Sequence, residues 1–211
     1  MGVKMKKIIL VGGGGHALSI LEMAPNHDIF LGYCDCKETP TMPIKYLGTD
    51  EEVLSKYSPN DYDVLHAVVY TTEVNLNLRS KLINKFKSYN GAKLAASSAV
   101  VTPSSTIGEG TVVLHKAVVN HAKVGDDCVI NTGVIVEHGV TVGDNVFLGT
   151  SVVICGDVTI GNNVFIGAGS IIRDGVTICD NTIIGMGAII TKSITSSGVY
   201  IGTPAKLIKK L

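Results

Sequence analysis

A chain of 211 residues with 18 Lys+Arg against 18 Asp+Glu has no net charge, so it lacks the basic footprint that nucleic acid requires. Hydrophobic residues make up 45% and mean hydropathy is +0.35, which excludes a disordered chain, while 5% aromatics and no Trp leave few platforms for stacked bases. No run approaches the roughly 20 apolar residues of a membrane span, and five cysteines without a C-x-x-C pair predict free thiols in a reducing cytosol.

The basic start, Met1 to Lys7, has the charge of a secretory leader, but the apolar stretch after it, Ile8 to Val11, is too short for one. Lys7 to Val11 predicts a buried strand that runs into Gly12-Gly13-Gly14-Gly15-His16 and then a helix from Ala17 to about Ala24. Phe30 to Tyr33 predicts a second strand, ending at Cys34-Asp35-Cys36, with Pro40 and Pro43 marking a loop. Asp50 to Lys56 predicts a short helix whose acidic first turn suits the helix dipole. A third strand is expected over Val64 to Tyr70 and a third helix over Leu76 to Tyr89. Strands alternating with helices imply a small parallel sheet, an α/β unit of Rossmann-like type. The pattern changes near Lys93, which divides the chain into domains 1–93 and 94–211.

Gly12, Gly14 and Ala17 satisfy G-x-G-x-x-[G/A] between a strand and a helix, where backbone can approach a phosphate. Asp35, at the end of the next strand, is placed to accept a hydrogen bond from a ribose or sugar hydroxyl. A tight turn without a ligand fits the same residues. A dinucleotide fold needs two such halves, and the stretch before Lys93 has room for one. That favours a nucleotide-sugar over NAD, and disfavours an NAD-linked oxidoreductase.

Beyond the boundary an aliphatic residue recurs at every sixth position without a miss, opening with Val112, Val118, Val124 and Ile130 and closing with Ile172, Ile178, Ile184 and Ile190. Small or β-branched residues such as Cys128, Val134 and Val140 stand two positions earlier, and Gly often follows, as at Gly125, Gly143 and Gly161. A period of six fits neither helix nor meander. It predicts a β-solenoid: one hexad per flat strand, a corner that needs a small or φ-positive residue, and three hexads per triangular coil, so that residues eighteen apart stack. The tail from Thr195 reads as Gly198, Gly202 and Pro204 followed by a short apolar-basic end.

His138 follows Glu137 directly after the hexad residue Val136, which places it near an exposed corner. Imidazole suits general-base work at neutral pH, and a nearby carboxylate can orient it. Asn131 lies about one hexad earlier. His115 and His121 read as surface or subunit-contact residues, and His27 and His66 receive no role. A metal site from His115, His121 and His138 is disfavoured because no acidic or Cys ligand spacing supports it. Cys128, Cys155 and Cys179 read as structural.

Three motifs carry a resemblance: V-G-G-G-G-H-A at Val11 to Ala17, I-N-T-x-x-x-V-E-H at Ile130 to His138, and G-T-P-A-K at Gly202 to Lys206. Together with the hexads they resemble the bacterial sialic acid O-acetyltransferase family, which includes N-acetyltransferases acting on UDP- and GDP-linked amino sugars. The resemblance implies a left-handed parallel β-helix of hexapeptide repeats and a homotrimer with acetyl-CoA lying between neighbouring solenoids. It implies a cytoplasmic protein with acetyl-CoA as co-substrate, a sugar or nucleotide-sugar as acceptor, and no metal. His138 matches the catalytic base, Glu137 stands beside it, and Asn131 matches the Asn near the active site. Gly14, Gly15 and His16 match the nucleotide-sugar loop, and Asp35 the acidic residue closing the second strand. Phe147, Ala168 and Met186 fall at the coenzyme A positions.

Three departures stand out. Amino-sugar N-acetyltransferases follow the catalytic His with an acid, where this chain has Gly139; the E-H-G form looks more like the O-acetyltransferase branch. They carry a second His nine residues on, where this chain has Phe147. Their third strand ends in G-[DN]-N, where this chain has Val69-Tyr70-Thr71-Thr72. A non-catalytic trimeric sugar-binding or scaffold protein is the alternative: it needs the hexads but not Asn131, Glu137 and His138.

Overall fold

A computed structural model describes residues 6–24, 26–69 and 73–211. The first unit is a parallel three-stranded sheet of β1 (Lys7–Val11), β2 (Phe30–Cys34) and β3 (Tyr62–His66), in the order β2-β1-β3. Helix α1 spans Gly15–Leu21, two residues earlier at its start than the sequence suggests, because Gly14 in an extended conformation serves as N-cap. It buries Ala17, Ile20 and Leu21. Helix α2 spans Asp50–Lys56 as expected. Thr49 and Glu52 form a capping box there, each side chain bonding the other's backbone N–H. β3 stops at His66 rather than running to Tyr70, and Tyr70-Thr71-Thr72 lie outside the described residues, as do Met1 to Met5. Helix α3 spans Glu73–Lys85 rather than Leu76 to Tyr89; past Lys85 the chain turns, and Phe86 and Tyr89 drop into the core beneath it.

The second unit consists of two-residue strands from Leu94–Ala95 to Ile189–Ile190, stacked into three parallel sheets around one column. It is a left-handed β-helix. In a strand, neighbouring residues face opposite sides, so each strand sends its second residue inward. Val124, Ile130, Val136, Val142 and every later hexad residue to Ile190 are buried in this column, joined by the corner residues Cys128, Val134, Val140 and Val146. The first two hexad residues depart from the expectation. Val112 and Val118 point outward, and Val113 and Val119 fill the column instead. Most strands pair at a spacing of eighteen, as in Ile130↔Leu148, but Val112↔Val129, Val118↔Ile135 and Thr106↔Lys123 pair at seventeen. The corner Asn120-His121-Ala122 is one residue shorter than Glu137 to Val140 a coil later.

The outward residues make three unlike faces. Face I carries Val112, Val129, Phe147 and Ile183, buried in one cluster with Ile8, Leu10, Ala17 and Ile20 of the first unit. Face II carries Val100, Val118, Ile135, Val153, Ile171 and Ile189. Val100 is 52% and Ile171 40% exposed, and Val118, Ile135, Val153 and Ile189 are half-buried. Face III carries Thr106, Lys123, Thr141, Thr159 and Thr177, all exposed. The tail is an antiparallel hairpin of Gly198–Gly202 and Ala205–Lys210 that extends the face I stack beyond Ile183–Ile184, where the sequence suggested only an apolar-basic end. Among the described residues no helix is long and apolar enough to cross a membrane.

The corners divide their labour in a way the sequence did not reveal. Where a glycine follows the hexad residue, it is needed for space rather than for φ. A Cβ on Gly143 would lie 2.9 Å from the carbonyl oxygen of Gly161 one coil on, and one on Gly167 would lie 2.5 Å from the Met186 nitrogen. The left-handed conformation falls two residues later, at Asp127 (φ 54°), Asn145 (53°) and Asn163 (55°), where short polar side chains tolerate it. Between faces III and I a side-chain ladder ties successive coils. Asp126 Oδ1 accepts from Glu109 N (2.7 Å), Asp144 Oδ1 from Asp126 N (2.8 Å), and Asn162 Oδ1 from Asp144 N (2.7 Å).

Candidate active site

Val136 points into the column, so the chain leaves face II at Glu137 and turns onto face III through His138, Gly139 and Val140. Gly139 makes this turn at φ +72°, and a Cβ there would collide with the Asp157 carboxylate one coil on. His138 is exposed, and no side chain of the described residues hydrogen-bonds its ring nitrogens. Glu137 Oε2 accepts from Asn120 Nδ2 (3.1 Å) and from the backbone N of His138 (3.3 Å). Glu137 therefore fastens the corner to the coil below instead of gripping the imidazole. The nitrogen-bearing edge of the ring lies over Gly156: a Cβ built on that glycine would stand 2.6 Å from Cε1, 3.0 Å from Nε2 and 3.3 Å from Nδ1. Beside it, burial and then the Asp174 and Glu137 carboxylates push the Cys155 thiol up, away from a reactive thiolate.

Asn131 sits at the other edge of face II, on the corner leading from face I, where its Oδ1 accepts from Thr132 N (2.7 Å). Gly149, Gly167 and Gly185 stack above it, and the exposed Ala168 and Met186 follow the last two; Met186 is 82% exposed. One chain thus groups Asn131, Ala168 and Met186 on one corner and places His138 on the next. Phe147 is 8% exposed, stacked on Phe165 with ring centroids 5.1 Å apart, and lies within the packing between the two units. His115 bonds Ser98 (2.9 Å) on the Asn131 corner, whereas His121 lies on the His138 corner, so the three solenoid histidines do not converge.

In the glycine loop, Gly12 takes φ +110° and donates to Cys34 O (2.8 Å), and Gly13 N donates to Asp35 Oδ2 (2.8 Å). A Cβ on Gly13 would lie 2.5 Å from the Tyr33 ring. These two glycines build the turn. Gly14 and Gly15 are exposed, with nothing among the described residues within 4 Å of a built Cβ. Asp35 braces the loop and also accepts from Cys36 N (2.6 Å) through its other oxygen. Gly14→Val should therefore keep the wild-type fold and melting temperature while filling the open side of the loop, which scanning calorimetry checks.

His16 turns inward, its ring 6.5 Å from Phe147 in edge-on contact. Its Nε2 is buried without a hydrogen-bond partner among the described residues. Burial, and after it the Arg79 charge, pushes its pKa from 6.5 down to about 4, so the ring is neutral at pH 7. The folded value lies below the unfolded one, so between about 6.5 and 4 only the unfolded chain takes the proton. Stability is fully present above that window and is lost as pH falls through it, on the order of 3 kcal/mol at the limit. Urea midpoints at pH 7 and pH 4.5 should diverge in the wild type and draw together in His16→Gln.

Two residues that the sequence did not single out join the units. Arg79 is 1% exposed and its Nη2 donates to Asp127 O (2.6 Å), and His66 Nδ1 lies 3.1 Å from Asp127 Oδ1. Beside them a cavity of about 420 Å³ is lined by Asn84, Lys87, Tyr89 and Asp126. It touches neither His138 nor the glycine loop. The glycine loop packs toward face I, and the His138 corner joins faces II and III. In a triangular section that corner is opposite face I, so loop and imidazole of one chain lie on opposite sides of its solenoid.

Residues 7–86 match the PglD N-terminal domain, and residues 121–156 and 157–192 match the bacterial transferase hexapeptide (six repeats). No curated protein matches the chain in sequence. Among solved structures, the acetyltransferase domain of PglB from Neisseria gonorrhoeae in complex with acetyl coenzyme A is 26% identical, with a TM-score of 0.84 over 97% of this chain and 100% of that one. Perosamine N-acetyltransferase from Caulobacter crescentus, crystallised with CoA and GDP-perosamine as a variant with a histidine replaced by asparagine, is 28% identical, with a TM-score of 0.85 over 98% and 99%. WeeI from Acinetobacter baumannii, 19% identical with a TM-score of 0.75 over 96% and 100%, shares the fold.

Proposed function

We propose that this chain, an acyltransferase of the hexapeptide-repeat sugar acetyltransferase family with a PglD N-terminal domain, moves the acetyl group of acetyl-CoA onto the amine of a nucleotide-linked amino sugar, with His138 as general base. The observation that carries this reading is the exposed imidazole of His138, with ring nitrogens that no described side chain engages. The likeness to enzymes crystallised with acetyl coenzyme A and with GDP-perosamine supplies the donor and the acceptor class. In the reaction the sugar nitrogen forms a bond to the thioester carbonyl carbon as neutral His138 takes its proton. The tetrahedral adduct collapses, the C–S bond breaks, and the imidazolium returns the proton to the CoA sulfur. The products are an amide and free CoA thiol.

An amine suits this site better than a hydroxyl. A neutral amine is already a nucleophile and sheds its proton as the adduct forms, whereas a hydroxyl needs strong assistance at the outset. Gly139 after His138 is the feature that resembles the O-acetyltransferase branch, and the likeness to perosamine N-acetyltransferase favours the amine against it. Cys155, with its thiol pushed up, does not serve as a covalent acyl carrier. Gly14 and Gly15 receive the diphosphate, Asp35 the ribose, and the corner of Ala168 and Met186 the coenzyme.

The working unit is a homotrimer. A sugar held at the glycine loop faces away from its own chain's His138, so a neighbour must supply the base, and the bare aliphatic face II gives neighbours a surface to bury. Light scattering should report three chains. Ile171→Lys, in the middle of that face, should shift the protein toward monomer and abolish turnover while each solenoid keeps its fold.

The reading is tested by following thiol release from acetyl-CoA with nucleotide-linked sugars bearing either a free amine or only hydroxyls. The expected product forms from the amine and resists neutral hydroxylamine, as an amide does. Release only with hydroxyl sugars, giving a hydroxylamine-labile ester, would overturn it.

A further inference from the structure

We infer that Gly156 is a positioning residue for the base: its missing side chain is the space in which the reactive edge of His138 lies. The inference rests on the reading of His138 as base.

Glycine at this position is not explained by the backbone. Gly156 lies outside the left-handed region, which at this corner falls on the following residue, Asp157, at φ 57°. The corners that turn in the same way, with the left-handed residue next at Gly139 and Gly175, hold His138 and Asp174 at this position, so the turn accepts a full side chain there. What a side chain at 156 would meet is specific. Its Cβ would stand 2.6 Å from Cε1, 3.0 Å from Nε2 and 3.3 Å from Nδ1 of His138. The first contact is closer than folded proteins tolerate, so the imidazole would have to leave. The atoms displaced are both ring nitrogens, one of which takes and returns the proton, together with the carbon between them.

The neighbouring coils hold this floor in place. Gly156 N donates to Asp174 Oδ1 (3.2 Å) from the coil above, and the His138 carbonyl accepts from Asp157 N (2.9 Å) below it. Glu137 ties the same corner downward to Asn120. The imidazole therefore has a fixed support although no side chain bonds its ring. That support replaces the orientation which a carboxylate bound to a ring nitrogen would otherwise give.

The test is Gly156→Ala in the trimer. The added methyl fits the backbone and an exposed ring can swing aside, so melting temperature and oligomeric state should stay at wild-type values. A base displaced by about an ångström loses up to roughly 10²-fold in rate. The expected kcat loss is roughly 10- to 100-fold, with KM for acetyl-CoA and for the sugar unchanged. In a His138→Ala background the same substitution should cause no further loss. In protein labelled at the histidine rings, the His138 Cε1–H resonance should move on Gly156→Ala while the other histidines stay. Wild-type kcat, an equal loss in the His138→Ala background, or an unmoved resonance would overturn the inference. If His138→Ala itself kept full turnover, the assignment of the base would fall, and the moved resonance would still establish Gly156 as the ring's support.

Discussion

Replacing His138 by alanine should lower turnover by roughly 10²–10⁴, the usual worth of general acid–base catalysis, without dissociating the trimer or moving the melting temperature. The stability half follows from exposure: the ring packs into no core, and its corner is held by backbone bonds through Asp157 N and Gly139 N that alanine keeps. The catalytic half follows from the proposed role of His138 as base, which its nearest neighbours Cys155 and Glu137 do not share. Cys155 is held in its thiol form, and Glu137 is engaged by Asn120 and the chain itself. Glu137→Gln should cost less, because an amide oxygen can still accept from Asn120 and the corner survives. Steady-state kinetics with the amino-sugar acceptor decide the matter, and an alanine variant with wild-type turnover would reduce His138 to a surface residue.

The second large effect is structural. Ile160→Asp places a carboxylate in the aliphatic column, where Ile160 is 1% exposed and stacked between Val142 and Ile178. An unpaired buried charge costs several kcal/mol or forces the group to neutralise, against a typical total stability of about 5–15 kcal/mol. The variant should aggregate or melt far below the wild type. Thr159→Asp is the control: the same strand, one residue earlier, points to solvent on face III and should melt as the wild type does. Equal melting of both variants would mean that position 160 does not face the interior.

The solenoid was legible because burial imposes the same choice at every turn, and a column of Val and Ile repeats in the sequence as it does in space. The same grammar misled at Val112 and Val118, where the six-residue rhythm continues while the chain drops one residue between Val119 and Lys123. Period alone does not say which of two adjacent valines points inward. The difference between the faces was also written in the sequence: valine, isoleucine and phenylalanine on the outward positions of faces I and II, threonine and lysine on face III. It can be read only once the register is known. His138 stood out by its place beside a hexad residue. The role of Glu137 did not, because its partner Asn120 is a coil away and across the short corner. Gly156 was invisible for a similar reason: one glycine among 24 acquires meaning only from the ring eighteen residues earlier. Arg79 and His66 escaped because their partner Asp127 belongs to the other unit.

The short corner at Asn120-His121-Ala122 has a consequence for how the chain finds its alignment. A perfectly periodic coil stack is nearly degenerate: shift one part by a whole turn and aliphatic still meets aliphatic, threonine still meets threonine. Such a molecule could close in several frames of similar energy and be trapped among them, since register is weakly specified wherever alternatives match. A single seventeen-residue coil removes the degeneracy. If the segment before the corner slips past it by one turn, the two sides fall out of step by one residue, and outward Val112 and Val118 exchange places with inward Val113 and Val119. One deleted residue thus serves as an index mark, against which the remaining coils count their place.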